Sequence, residues 1–174
     1  MITLICGTNR PKNVSQKFVN LYQTLLSKRN LECNTVAMEN IPKDIAFSND
    51  IIGTASGELK SILNEKIIPA TKLVVVVPEY NGSFPGILKS FIDSVEPKHY
   101  QGKIIALVGI SAGRAGNLRG MEHLTGIFHY LGAEVISTKV DIASVNSLLD
   151  ENGMPNDEGI VRRLNRQIDH LLKY

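Results

Sequence analysis

Short runs of β-branched and aliphatic residues alternate along this chain with amphipathic stretches of helix length. A strand is predicted over Ile2–Cys6 and a helix over Val14–Ser27, where apolar residues recur at helical spacing. The almost wholly apolar residues 73–77 predict a strand that is buried on both faces. Such alternation is typical of a parallel sheet whose connections are helices packed on both of its faces. It therefore places the chain in the α/β class.

The same pattern continues to the last residues of the chain. The other predicted strands are residues 31–38, 103–109 and 134–140, and the other predicted helices are residues 58–68, 86–95, 118–131 and 158–172. Residues 40–56 are polar and predict a connection, and residues 149–156 predict a surface loop. Five strands and five helices of these lengths suit a flavodoxin-like three-layer sandwich. Its five-stranded parallel sheet has the order 2-1-3-4-5, with helices on both faces.

Length and composition narrow the class of protein further. A chain of 174 residues with ordinary globular composition predicts one soluble domain over residues 1–174. The formal net charge of +2 is too small to indicate nucleic-acid binding, and the longest apolar run is far shorter than a membrane span. No basic leader follows Met1, so a cytoplasmic location is expected. Cys6 and Cys33 lie in apolar segments and are predicted to be reduced core residues.

The loop after the first predicted strand has the features of a phosphate site. Loops at the carboxyl ends of strands bind the ligand in sheets of this order. This loop leads from Gly7 into a helix, and the first turn of a helix offers unpaired N–H groups and the positive end of its dipole. Thr8 and Ser15 add hydroxyl groups, and Arg10 adds a planar guanidinium that can hold two phosphate oxygens.

A structural interpretation of the same loop stays open. Asn13 or Ser15 would cap the helix and Arg10 would be solvated, and these roles are compatible with phosphate binding. A Walker A loop is not indicated, because no Gly-Lys-Ser/Thr follows at the required spacing, and a dinucleotide fingerprint is not indicated, because the further glycines that it requires are missing after Gly7. Cys6, as the last strand residue, is expected to point into the sheet rather than to act as a phosphatase nucleophile.

Two more loops are expected at the same edge of the sheet. Residues 78–86 contain two prolines, two glycines and the ring of Tyr80, which predicts a rigid loop suited to a flat heteroaromatic ligand. The alternative is a rigid connection between a strand and a helix. Residues 111–117 are rich in glycine and follow the fourth predicted strand. They are either a third binding loop or a plain turn into the next helix.

The first two loops together resemble a known family. The motifs are Gly7-Thr8-x-Arg10 with Ser15, and Pro78-Glu79-Tyr80-Asn81-Gly82-Ser83 followed by Pro85-Gly86-x-Leu88-Lys89-Ser90-x-Ile92-Asp93. Their pairing and separation resemble the NADPH-dependent FMN reductase family, which is flavodoxin-like and includes quinone, azo-dye and chromate reductases. The likeness covers nearly the whole chain. This chain departs from many members in having Ser94 in place of a tryptophan, and no motif aligns over residues 39–55.

The resemblance implies a cofactor and the residues around it. FMN is the expected cofactor, with NADPH or NADH as hydride donor. The ribityl phosphate would be surrounded by Thr8, Arg10, Ser15, Gln16 and Lys17, of which the last two act through backbone N–H groups. The isoalloxazine ring would be bordered by Pro78, Glu79, Tyr80, Asn81 and Gly82, and its rim would meet Ser111, Ala112 and Gly113.

The expected activity is FMN-dependent NAD(P)H oxidoreduction. A nicotinamide would pass a hydride through bound flavin to a small acceptor, namely a quinone, an azo compound, a metal ion or free flavin. No catalytic acid or base is predicted, because the cofactor carries the chemistry, and no metal site is predicted from four scattered histidines. The alternatives are a flavin-binding electron carrier or redox-sensing module without nicotinamide turnover, and a domain that binds another phosphorylated ligand.

An assembly of identical subunits is also expected. The resemblance implies a homodimer or homotetramer in which a neighbouring subunit completes the pocket. Tyr80 and Phe84, which are predicted to be exposed on the second loop, favour the same assembly.

Overall fold

Six strands form one parallel sheet in the computed structural model, which describes residues 1–47 and 52–174. The strands are β1 (Ile2–Cys6), β2 (Cys33–Ala37), β3 (Lys72–Pro78), β4 (Ile104–Ile110), β5 (Glu134–Val135) and β6 (Val140–Ile142). Their order is β2-β1-β3-β4-β5, and β6 also pairs with β4. The predicted fold class and strand order are confirmed.

Five α-helices connect and cover the strands in the part of the chain that the structure describes. They are α1 (Val14–Ser27), α2 (Gly57–Ile62), α3 (Gly86–Ser94), α4 (Leu118–Tyr130) and α5 (Glu158–Leu171). A π-helical turn over Leu63–Ile67 extends α2, and short 3₁₀ turns lie at Met38–Asn40, Pro97–His99 and Val145–Leu148. Among the described residues, no helix combines the length and the apolar character needed to cross a membrane.

The apolar core has one layer on each face of the sheet. Helices α1 and α5 pack on one face, where Phe18 shares a cluster with Val74. Helices α2, α3 and α4 pack on the other face, where Phe91 shares a cluster with Val75. Alternate residues of β3 thus face opposite layers, and residues 73–77 are wholly buried, as their unbroken apolar run predicts. Each large apolar side chain buried in this way contributes about 1.5–3 kcal/mol.

The prediction of one continuous fifth strand over residues 134–140 is wrong. It is divided into β5, which pairs with the first part of β4, and β6, which pairs with the last part. Gln167 of α5 is fully buried between the two, and its Nε2 donates to the backbone oxygens of Leu107, at 2.9 Å, and Thr138, at 2.6 Å. The side-chain amide therefore satisfies backbone acceptors that a continuous strand ladder would otherwise satisfy.

Other predictions at the ends of elements need smaller corrections. β2 is shorter than the predicted strand over residues 31–38. Leu172, the last residue of the predicted helix over residues 158–172, lies beyond α5 and is 40% exposed. Both cysteines are free thiols; Cys6 is buried in the core, whereas Cys33 is only partly buried and packs against the core. The predicted connection over residues 40–56 includes residues 48–51, which lie outside the described residues.

Candidate functional site

A cavity of about 410 Å³ opens at the carboxyl ends of β1, β3 and β4. Its lining is Thr8, Arg10, Pro11, Lys12, Asn13, Val14 and Ser15 from the first loop, Pro78, Glu79 and Tyr80 from the second, and Ile110, Ser111, Ala112 and Val145. The strand order reverses beside β1, so the cavity lies where sheets of this kind bind ligands. Its volume is in the usual range for small-molecule sites.

A larger hollow, of about 730 Å³, lies on the far side of the molecule. It is bordered by the second half of α1 and the residues that lead into β2, including Lys28 and Cys33. These residues lie at the amino end of the strands, and none of the three candidate loops reaches them. We therefore place the candidate site in the smaller cavity.

Side-chain hydrogen bonds hold the first loop and the start of α1. Thr8 Oγ1 accepts from the Arg10 backbone N–H at 3.2 Å. Asn13 Oδ1 accepts from the Gln16 backbone N–H at 2.8 Å, so Asn13 and not Ser15 is the N-cap of α1. Ser15 lines the cavity, and within the described chain neither its N–H nor its hydroxyl has a hydrogen-bond partner.

The charges around this loop favour an anion. Arg10 and Lys12 are exposed at the cavity rim, and neither forms an ion pair with any described residue. The first turn of α1 contains no acidic residue, so nothing there offsets the positive end of the helix dipole. Glu79 is the one carboxylate in the lining. Unpaired donors, two cations and a helix N-terminus fit the phosphate of FMN.

The second loop is folded into a tight turn and tied to the first loop. Asn81 and Gly82 have φ values of 51° and 77°, and the backbones of Tyr80 and Ser83 exchange hydrogen bonds of 2.9 and 3.1 Å. Two successive positive φ angles identify the type I′ turn that Asn-Gly favours. The hydroxyl groups of Tyr80 and Thr8 lie 2.7 Å apart, so the tyrosine bridges two walls of the cavity.

The third loop is held together by Ser111. Its Oγ donates to the Gly113 carbonyl and accepts from the Gly116 N–H, both at 2.9 Å. The Ser144 N–H also donates to Gly113 O, at 2.7 Å. The backbone N–H groups of Ala112 and Gly113 have no partner in the part of the chain that the structure describes. These two free donors could bind the polar edge of a heteroaromatic ring, and they favour a binding loop over a plain turn.

Asn117 joins the second and third loops and was missed by sequence reasoning. It is buried, has a φ of 61°, and its Nδ2 donates to Val77 O at 3.2 Å and to Pro78 O at 3.0 Å. Its place just before the predicted helix over residues 118–131 is the signal that could have revealed it, since asparagine is common at such positions. Val145 gave no signal, because its place in the lining depends on the distant packing of β6.

The predicted site residues fall into three groups. Thr8, Arg10, Ser15, Pro78, Glu79, Tyr80, Ser111 and Ala112 line the main cavity. Asn81, Gly82 and Gly113 line a hollow of about 280 Å³ that shares Glu79, Ser111 and Ala112 with it. Gln16 and Lys17 line neither. The Gln16 N–H is bound to Asn13, and Lys17 Nζ donates to Gly153 O. The contacts of all these residues with FMN stay a prediction.

Comparison with known proteins identifies the family. Residues 1–146 match the sequence profile of the family described as NADPH-dependent FMN reductase. The chain belongs to this family. The predicted family is thus confirmed, and membership makes the protein an FMN-dependent NAD(P)H oxidoreductase.

Individual relatives agree with the family. The chain is 33% identical over 129 residues to an NAD(P)H-dependent FMN reductase of Pseudomonas aeruginosa, covering 72% of this chain and 70% of the relative. It is 33% identical over 101 residues to a 2-hydroxy-1,4-benzoquinone reductase of a Burkholderia species, covering 55% of each. It is 26% identical to an FMN-dependent NADPH-azoreductase of Staphylococcus aureus, covering 64% of this chain and 60% of that enzyme.

Solved structures confirm the fold. FerB, a flavoenzyme NAD(P)H:(acceptor) oxidoreductase from Paracoccus denitrificans, superposes with a TM-score of 0.80 at 21% identity, covering 99% of this chain and 95% of FerB. A flavodoxin of Megasphaera elsdenii superposes with a TM-score of 0.59 at 12% identity, covering 96% of this chain and 97% of the flavodoxin. The architecture is therefore flavodoxin-like.

Proposed function

We propose that this protein passes a hydride from NAD(P)H, through FMN held at the carboxyl edge of its sheet, to a small organic acceptor such as a quinone or an azo compound. The observation that carries the proposal is the convergence of three loops on one cavity with a cationic end and a rigid, donor-lined end. The names of the Burkholderia and Staphylococcus relatives support the acceptor class.

The cationic end would hold the ribityl phosphate. Arg10 would donate from its guanidinium, and Ser15 from its free N–H and its hydroxyl. Thr8 Oγ1 already accepts from the Arg10 N–H, so when Tyr80 donates to it as well, the hydrogen of Thr8 is left for the phosphate. Gln16 and Lys17 stay predicted contacts at this end.

The rigid end would hold the flavin ring. Pro78, Tyr80 and Val145 offer surfaces that keep water from a planar ligand, and the N–H groups of Ala112 and Gly113 would orient its polar edge. Bound FMN supplies the hydride chemistry itself. The residues of this chain are therefore needed to bind and orient the ring and to leave one of its faces open to the donor and the acceptor in turn.

Activity measurements test this function. We expect the purified protein with FMN to oxidise NADPH or NADH in the presence of a benzoquinone, read from the loss of nicotinamide absorbance. Riboflavin, which lacks the phosphate, should support a much lower rate at the same concentration. An electron carrier without nicotinamide turnover would give a different result. It would bind FMN tightly, but with either a quinone or an azo dye as acceptor it would oxidise NADPH and NADH no faster than free FMN does without the protein.

We further infer that the protein forms a homodimer or homotetramer. Support comes from the start of α4, where Leu118 is 52% exposed and where His123 Nδ1 lies 2.8 Å from Ser83 Oγ of the second loop. Apolar side chains exposed beside a site are common where subunits meet. Light scattering should give at least twice the mass of one chain, and the mass of one chain at micromolar concentration would contradict the inference.

The single-domain organisation and the cytoplasmic location stay predictions.

A further inference from the structure

The hydrogen bonds of one buried side chain point to a positioning residue for the cofactor. We propose that Asn13 organises the phosphate-binding loop by joining the end of β1, the loop itself and the first turn of α1. The proposal rests on the FMN site proposed above and names a residue that sets its geometry.

Asn13 uses both ends of its amide. Nδ2 donates to Arg10 O at 2.8 Å, and Oδ1 accepts from the Gln16 N–H at 2.8 Å and from Cys6 Sγ at 3.3 Å. The residue is only 9% exposed, so these bonds are largely shielded from water. The two lone pairs of an amide oxygen are both engaged. One side chain thus fixes three segments of the backbone relative to one another.

The turn that Asn13 closes contains a strained residue. Lys12 has a φ of 54°, a value that residues other than glycine and asparagine rarely adopt. The turn from Arg10 to Asn13 is closed by the side-chain Nδ2 of Asn13. A strained conformation persists only when surrounding contacts determine it. Without that contact, Lys12 is expected to relax and to shift Arg10 with it.

Cys6, the last residue of β1, donates a hydrogen bond to Asn13. The thiol is fully buried, and this burial is the main reason that the pKa of Cys6 is raised to about 11. The thiol therefore keeps its hydrogen at physiological pH and can donate it to Asn13. The last residue of β1 is thus both a core residue and a donor to the loop above it.

Asn13 also decides which N–H groups remain for a ligand. It takes the Gln16 N–H as its capping partner and leaves the N–H of Ser15, a lining residue of the cavity, without a partner among the described residues. The phosphate would then be held by Ser15 and Arg10, both of which depend on Asn13 for their positions. We therefore expect Asn13 to affect the binding of the phosphate selectively, without contributing to the binding of the ring.

Flavin titrations of the full-length protein, freed of bound FMN, test this role. The affinities of Asn13→Ala for FMN and riboflavin are measured by flavin fluorescence, together with its melting temperature. FMN affinity should fall about tenfold, which is ~1.4 kcal/mol, while riboflavin affinity should be unchanged. Asp157→Ala is the matched control, because Asp157 caps α5 through the same type of bond, to the Ile160 N–H at 2.7 Å. It should lower the melting temperature similarly without changing FMN affinity.

A second variant separates the two roles of Asn13, the capping of α1 at the Gln16 N–H and the hydrogen bond to Arg10 O. Asn13→Ser can still cap Gln16 but cannot reach Arg10 with an amide, so its melting temperature should approach that of the wild type while its FMN affinity stays reduced. Wild-type FMN affinity in both Asn13 variants would overturn the proposal, and so would an equal loss of FMN and riboflavin affinity. A wild-type protein that does not prefer FMN to riboflavin would instead contradict the phosphate site itself.

Discussion

Arg10→Ala is expected to weaken FMN binding by about 1.5–3 kcal/mol, a roughly 10- to 150-fold rise in Kd. The guanidinium lies at the cavity rim, where no described carboxylate neutralises it, so its charge is available to a dianionic phosphate. A charge-assisted bond of this kind is stronger than a neutral one. The Kd is measured by titrating FMN-free protein with FMN and following the quenching of flavin fluorescence.

Two control variants define what the loss means. Arg10→Lys keeps the positive charge but not the planar fork, so it should lie between the wild type and Arg10→Ala. Arg162→Ala removes an exposed guanidinium that pairs with Glu158 on α5, away from the site, and should leave the Kd unchanged. If Arg10→Ala binds FMN as tightly as the wild type, the phosphate lies elsewhere.

Gly116→Ala is expected to lower the free energy of unfolding by about 2–6 kcal/mol, the sum of backbone strain and overpacking. Gly116 has a φ of 53°, and an added Cβ would lie 2.7 Å from the Cβ of Asp141 and 2.8 Å from the backbone N of Ile142. Backbone atoms cannot move aside as a flexible side chain does. Because the Gly116 N–H also binds Ser111 Oγ, the variant should lose FMN binding as well.

Urea unfolding of Gly116→Ala and Gly102→Ala separates the two causes. Gly102 has a φ of 72°, but an added Cβ there would meet nothing within 4 Å, so this variant carries the strain alone. We expect it to lose clearly less stability than Gly116→Ala. Equal losses would show that the contact between the third loop and β6 is not tight.

The parts of the fold that follow from local pattern were predictable. α1 has the bounds that its apolar spacing predicts, since an asparagine cap and regular amphipathicity both act within a few residues. The buried strand β3 was visible as an unbroken apolar run. The division of the fifth strand was not predictable, because it depends on Gln167, which is distant in sequence from the strands it contacts.

The candidate site divides in the same way. The loops could be found from sequence, because glycine, proline and hydroxyl residues follow predicted strands, and the Asn81–Gly82 turn follows from the preference of that pair for positive φ. The hydrogen bond that joins two walls of the cavity could not be predicted from the sequence. The contact of Tyr80 with Thr8 joins loops that are far apart in the sequence and depends on side-chain directions that composition does not encode.

The divided last strand also affects how copies of this protein can meet. An uninterrupted strand at the border of a sheet presents a row of unpaired backbone groups that another chain can extend. Here that border offers only two residues in β5 and three in β6, separated by the gap that Gln167 spans. Strand addition, and the fibrous aggregation it can start, is thereby disfavoured at this border of the sheet.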